Sequence, residues 1–210
     1  DTPYYREEKN HEYHRSIGFL LLMKQVAAIM MNRQMWLNGL IGCLLYLPTS
    51  VFAELWGIPY LSAVYHFPRE QAAMLISAVF LGWAFGGPVM GLISDKIHSR
   101  RIPLLVGEVI ALALIATLLF MPNLSSQVIF SLLLALGVVS SAEVVCFAVG
   151  RENCAEHLSG TAVAVTNCLI MLGGMFFQPI VGKLLDLSWD GTLESGVRVY
   201  SIEAYQTALV

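Results

Sequence analysis

The sequence predicts an all-α membrane protein, and three observations support this fold class. Hydrophobic residues make up 57% of the 210 residues and charged residues only 13%, a balance that soluble domains rarely show. Five apolar runs are each long enough, at about 20 residues, to cross about 30 Å of hydrocarbon as a helix. The connections between the runs are too short to hold a soluble domain.

The five runs predict membrane-spanning helices over residues 35–56, 71–94, 102–121, 125–150 and 158–182. Helices are expected because lipid offers no partner for an unbonded backbone group. Residues 57–60, which include Gly57 and Pro59, are expected to end the first helix in an outer loop. The pair Pro122 and Asn123 predicts a tight turn after the third helix.

The two ends of the chain are predicted to differ from the five spans. Residues 17–31 are apolar but carry Lys24, which is typical of a helix lying along the membrane interface. Residues 200–210 begin an apolar run that is too short to cross, so we expect a truncated sixth span. The predicted organisation is therefore a cytoplasmic segment with an interfacial helix over residues 1–34, and a helix bundle over residues 35–210.

The basic residues predict the orientation, because Lys and Arg accumulate in short cytoplasmic loops. With the N-terminus of the chain in the cytoplasm, three of the twelve basic residues face outward, namely Arg69, Lys183 and Arg198. The other nine then lie on the cytoplasmic side: Arg6, Lys9, Arg15, Lys24, Arg33, Lys96, Arg100, Arg101 and Arg151.

Polar side chains inside the spans are the candidates for function. Glu54, Glu108 and Glu143 are costly in lipid unless they are neutral, paired or in contact with water. Glu143 either binds a proton or substrate or makes a structural pair. Asn167 lies near mid-membrane, where it either contacts substrate or makes a hydrogen bond between helices.

Small residues in the second and fifth spans predict close helix packing or a bendable helix, because glycine lets backbones approach and proline introduces kinks. The residues concerned are Gly82, Gly86, Gly87, Pro88, Gly173 and Gly174.

The sequence offers no pattern for an enzyme or a metal site. The four cysteines show no Cys-x-x-Cys spacing, and no Ser-His-Asp order or phosphate-binding loop is present. We therefore expect no enzymatic activity, no cofactor and no metal. The net charge of −3 does not suggest a nucleic-acid partner.

The stretch GLISDKIHSRR, residues 91–101, concentrates charge between the second and third spans. Composition alone would make it a positive-inside anchor. Its order resembles the signature G-x-L-[AS]-D-[RK]-x-G-R-[RK]-x of the major facilitator superfamily. Ile93 replaces the Leu of the signature, whereas His98 and Ser99 stand where the family has Gly and Arg. The matching residues are Gly91, Ser94, Asp95, Lys96 and Arg100.

The resemblance implies the C-terminal half of a twelve-helix transporter, covering the family's seventh to eleventh helices and the start of the twelfth. The first six-helix half is then missing from this chain. The charged loop would act as a conformational latch during alternating access, through Gly91, Asp95, Lys96, Arg100 and Arg101. The first helix of each half lines the central cavity in this family, which makes Asn38, Tyr46 and Glu54 candidate substrate residues on one helix face.

The function implied by the resemblance is secondary active transport of a small organic solute, coupled to protons through a carboxylate such as Glu143. Residues 53–60 resemble transporters proposed for amino acids in phagosome-dwelling bacteria, which suggests an amino acid or similar solute and the bacterial inner membrane. The expected partners are lipid, the missing half, the solute and protons. The alternatives are a non-transporting scaffold or accessory subunit built on a half-bundle, and a small intramembrane enzyme.

Overall fold

A computed structural model describes residues 18–121, 123–194 and 197–209, and these residues are almost entirely helical. Predictions for residues 1–17, with Arg6, Lys9 and Arg15, and for Pro122 lie outside the described residues. The elements in chain order are α1 (Phe19–Met30), α2 (Arg33–Leu47), a π-helix (Pro48–Trp56), α3 (Gly57–Tyr65), α4 (Arg69–Lys96), α5 (Arg101–Phe120), α6 (Ser126–Ser140), a 3₁₀ turn (Ser141–Glu143), α7 (Val144–Glu152), a 3₁₀ turn (Glu156–Leu158), α8 (Ser159–Leu187), β1 (Leu193–Glu194), β2 (Val197–Arg198) and α9 (Ile202–Leu209).

The prediction of five spans is confirmed, because five helical stretches are long and apolar enough to cross a membrane. In chain order, spans 1 to 5 are Arg33–Tyr65, Arg69–Lys96, Arg101–Phe120, Ser126–Glu152 and Glu156–Leu187. The all-α membrane fold class is therefore confirmed, and the helices are those expected of half a major facilitator fold.

The predicted loop at residues 57–60 is wrong, since these residues continue span 1 as a helix. Pro48 and Pro59 each lack the N–H that an α-helix needs. Pro48 is the first residue of the nine-residue π-helix, and Pro59 lies three residues after its end. The longer i to i+5 hydrogen bonds of a π-helix, such as Gly57 N–H to the carbonyl of Phe52, keep the backbone bonded between the prolines. Glu54 consequently lies eleven residues before the end of span 1 at Tyr65 rather than beside a loop.

Spans 2 and 4 pack with their backbones in contact. A methyl group added at Gly82 would overlap the carbonyl of Leu134 and lie 2.7 Å from the backbone nitrogen of Val138. Gly137 of span 4 meets the carbonyl of Val79 in the same way. Small residues thus give these two helices the close van der Waals contact that holds helices together in lipid.

The other predicted small residues do not all share this role. Gly86 meets Ser141 and Val138, Gly173 meets Cys43, and Gly174 meets Ser50 at 3.3 Å. Gly87 is in ordinary contact, since its nearest neighbour is a Val144 methyl at 3.7 Å. Pro88 lies inside α4, which continues to Lys96. The residues that lie in close helix contacts are Gly82, Gly86, Gly173 and Gly174.

A two-stranded antiparallel hairpin links span 5 to α9, with Leu193 opposite Arg198. The Asp186 carboxylate at the end of span 5 accepts hydrogen bonds from Arg198 Nη1 at 2.6 Å and from the Tyr200 hydroxyl at 2.7 Å. The Arg198 guanidinium lies 4.5 Å from the centre of the Trp189 ring. These contacts attach the hairpin to the end of span 5. Helix α9 follows the hairpin and lies within the residues predicted to begin a sixth span.

Candidate functional site

Arg100 is the centre of the charged loop between spans 2 and 3. Its Nη1 atom donates to Asp95 Oδ1 at 2.5 Å and to Ser94 Oγ at 3.0 Å. Its Nε and Nη2 atoms donate to Glu152 Oε1 at 3.0 and 2.7 Å. Because Glu152 is the last residue of α7, Arg100 ties the loop to the end of span 4.

The electrostatics keep this arginine charged. The hydrogen bonds to Glu152 and then to Asp95 raise the pKa of the Arg100 guanidinium above its ordinary value. The Arg100 side chain is 30% exposed and the two carboxylates are 67% and 52% exposed. At this exposure each ion pair contributes only about 0–1 kcal/mol to stability, so the contacts suit a link that forms and breaks.

The loop closes through a residue with a left-handed backbone. His98 has a φ of 52° and stands where the family signature has glycine. Glycine adopts this conformation without steric cost, whereas other residues are disfavoured by contact of Cβ with the backbone. The backbone therefore holds His98 in a conformation that glycine would adopt without steric cost.

We expect His98→Gly to raise the melting temperature of the purified protein slightly, because relief of left-handed strain outweighs the entropy lost by glycine. The expected gain is about 0.5 kcal/mol. His98→Val should lower the melting temperature, since a β-branched residue tolerates positive φ poorly. A destabilising glycine together with a neutral valine would show that the loop does not depend on this backbone conformation.

The other residues predicted to form the latch take no part in the hydrogen bonds of the Arg100 side chain. Lys96 and Arg101 are exposed, and neither makes an ion pair with another described residue. Gly91 has no neighbour within 4 Å of an added methyl group. Sequence reasoning missed Glu152, because it lies 52 residues from Arg100 and only the packing of span 4 brings it to the loop.

A second polar cluster lies at the π-helix of span 1. The Tyr46 hydroxyl donates to Glu54 Oε1 at 2.7 Å, and the Tyr46 ring packs edge-on against Trp83 at 5.7 Å between centroids. The Trp83 ring is fixed in turn, because its Nε1 donates to Thr49 Oγ1 at 2.9 Å. Tyr46 and Glu54, which were predicted to share a face, are thus in direct contact.

Glu143 lies in the 3₁₀ turn that interrupts span 4, and its side chain is only 4% exposed. Its Oε1 atom has no hydrogen-bond partner among the described residues. The 3₁₀ turn packs against α2 of span 1, which carries Tyr46, and Cys146 follows Glu143 by three residues in span 4. Burial without a partner favours the neutral, proton-bearing form of a carboxyl group.

Asn38 and Asn167 occupy different environments from this cluster. Asn38 is 4% exposed and its Nδ2 donates to the Cys146 carbonyl at 2.9 Å, so it joins span 1 to span 4. Asn167 is exposed on the surface of span 5, and no hydrogen bond from its side chain to another described residue is present. The three residues expected on one face therefore fall into two groups. Asn38 makes a buried link between spans, whereas Tyr46 and Glu54 form an accessible pair.

Glu108 of span 3 stands apart from both clusters. It lines an apolar pocket of about 360 Å³ between span 1, span 3, span 5 and α9. The other lining residues are largely aliphatic, with Phe52 and Phe177 contributing aromatic rings. Among the residues that the structure describes, no group of His, Cys, Asp and Glu has an arrangement that could hold a metal ion.

The family model of the Major Facilitator Superfamily matches residues 5–188, which is most of the chain. The chain belongs to the major facilitator superfamily. A superfamily member with five apolar spans is an integral membrane protein of a transporter family, in contact with lipid and with a small-molecule substrate. No curated protein and no solved structure matches the chain. The resemblance of residues 53–60 to amino-acid transporters accordingly stays a prediction.

Proposed function

We propose that this superfamily chain is the C-terminal half of a proton-coupled secondary transporter that moves a small organic solute, such as an amino acid, by alternating access. The observation that carries the proposal is Glu143, a carboxyl that is buried in span 4 and has an unpartnered oxygen. The proposed coupling ion is the proton.

The position of Glu143 suits proton coupling. It lies four residues past the middle of span 4, about 6 Å by helical rise, and so within the hydrocarbon thickness. A charged carboxylate there is expensive, whereas a protonated carboxyl is cheap, so the group gains or loses a proton as its access to water changes. No basic side chain of the described residues forms an ion pair with it.

The Arg100 network supports alternating access. It joins the loop between spans 2 and 3 to span 4 through exposed ion pairs of small individual strength. A link of this kind biases one arrangement of helices over another and can be broken within a transport cycle. We propose Asp95, Arg100 and Glu152 as the latch, with the loop on the cytoplasmic side of a bacterial inner membrane.

Glu143→Gln in the complete natural protein is expected to abolish uptake of amino acids driven by a pH gradient in proteoliposomes. Exchange of unlabelled for labelled solute should continue, because exchange requires no net proton movement. The matched control is Glu108→Gln, which changes a half-buried membrane carboxyl that lies outside the cluster.

Two outcomes would contradict the proposal. Equal pH-driven uptake by Glu143→Gln and the unaltered protein would remove Glu143 as the coupling group. A well-folded complete protein that takes up no solute in any gradient would favour the alternative of a non-transporting scaffold or accessory subunit.

A further inference from the structure

We infer that the solute is held by a positively charged nitrogen, an ammonium group that binds the Glu54 carboxylate beside the rings of Tyr46 and Trp83. This inference deepens the proposed function and rests on it. It names the chemical class of the ligand, which the family does not determine.

The charge inventory of the spans is the first argument. Three carboxyl groups of the spans lie away from the span ends, at Glu54, Glu108 and Glu143. The ion pairs of the described residues involve only Asp95, Glu152 and Asp186 as acids, so none of the three has a cationic partner there. The basic residues of the spans lie at or near their ends, namely Arg33, Arg69, Lys96, Arg101, Arg151 and Lys183. The interior of this half therefore lacks positive charge.

The depth of Glu54 is the second argument. Span 1 runs from Arg33 to Tyr65, so its middle is Thr49, and Glu54 lies five residues beyond it. That distance is about 8 Å of helical rise, which is inside a hydrocarbon core about 30 Å thick. The Glu54 side chain is nevertheless exposed on this half. Because a carboxylate facing lipid at this depth is costly, it faces a water-filled cavity.

The immediate surroundings of Glu54 suit an ammonium group. The Tyr46 hydroxyl is bonded to Oε1, and no described residue bonds Oε2. The rings of Tyr46 and Trp83 are half-buried, and Trp83 is held in place by Thr49. A carboxylate oxygen next to aromatic rings attracts a cation through charge-assisted hydrogen bonding and through the ring quadrupole.

Glu143 lies on the span that packs against this part of span 1. Its carboxyl has an unpartnered oxygen and is 4% exposed, and its 3₁₀ turn packs against α2, which carries Tyr46. The buried Glu143 adds no positive charge to the site, and in its protonated form it neither attracts nor repels an ion. An anionic ligand would meet repulsion from the Glu54 carboxylate, whereas a cationic ligand would be attracted to it.

Direct binding of isosteric pairs tests the inference. The complete natural protein in detergent is assayed by scintillation proximity with radiolabelled alanine and choline at millimolar concentration. Lactate and 3,3-dimethylbutanol, in which the charged nitrogen is replaced, serve as competitors. We expect the ammonium member of at least one pair to bind about tenfold more tightly than its isostere. For alanine this is the effect of one charge-assisted hydrogen bond, and for choline, which has no N–H, it is the effect of a cation–π contact beside a carboxylate.

The variants assign the binding to a residue. Glu54→Gln should weaken the affinity for the ammonium member about tenfold. Glu108→Gln, a carboxyl in the separate apolar pocket, should leave affinity unchanged. Binding of lactate or the alcohol equal to that of its ammonium partner, binding of neither pair, or full affinity in Glu54→Gln would overturn the inference. If pH-driven uptake of another solute persists in that case, the proposed function stands and only the ligand class is wrong.

Discussion

Gly82→Ala is expected to destabilise the helix bundle more than any other single methyl group added to span 2. The new Cβ would overlap the Leu134 carbonyl and lie 2.7 Å from the Val138 nitrogen and 2.9 Å from the Gly137 Cα atom. All three are backbone atoms, so no side chain can rotate away and span 4 itself must shift. Overpacking of this kind costs about 1–3 kcal/mol, and the loss of backbone contact between two helices places this change at the upper end.

The measurement is the melting temperature of the purified protein, followed by size-exclusion chromatography after heating. Gly91→Ala is the matched control on the same helix, because an added methyl group there has no neighbour within 4 Å. The control should change stability by less than about 0.5 kcal/mol. Equal melting temperatures for the two variants would mean that spans 2 and 4 are not in backbone contact at Gly82.

Arg100→Ala is expected to reduce transport by about tenfold while leaving the amount of folded protein close to normal. The arginine contacts two carboxylates that are more than half exposed, so its contribution to stability is small. Its effect on transport is larger, because a change of ~1.4 kcal/mol in the free-energy difference between two conformations changes their ratio tenfold. Without the arginine, Asp95 and Glu152 also repel each other across the loop.

The measurement is the initial rate of uptake, normalised to surface abundance. Arg101→Ala is the control, since the neighbouring arginine makes no ion pair with a described residue and keeps the local charge change the same. Arg100→Lys should be intermediate, because a single ammonium group cannot reproduce the guanidinium's separate contacts with both acids. A similar loss in Arg100→Ala and Arg101→Ala would attribute the effect to charge at the membrane surface rather than to a latch.

The number of spans was predicted correctly from the sequence, but the predicted end of span 1 was wrong. Glycine and proline at residues 57–60 are ordinary signals for a loop. The π-helix before them changes the hydrogen-bond spacing, so the prolines fit within a continuous helix of 33 residues. A π-helix is rare, so the ordinary reading of glycine and proline as loop signals did not allow for one.

The contacts of the candidate site could also be predicted only in part from the sequence. The pairing of Asp95 with Arg100 could be predicted, because both lie in one short signature loop. The second acid, Glu152, could not be, since it comes from a different span. Likewise, an eight-residue interval placed Asn38, Tyr46 and Glu54 on one face, but Asn38 bonds to Cys146 whereas Tyr46 bonds to Glu54.

The sequence by itself determined the membrane class, the five spans and the signature loop of a transporter superfamily, because hydrophobic length and local residue order express these properties directly. Only the tertiary structure decided which polar groups meet. It paired Arg100 with Glu152 and Asn38 with the carbonyl of Cys146, and it left Glu54 exposed at depth. These contacts join residues from different helices, and the rotation and depth of one helix against another are set by packing, which local sequence does not encode.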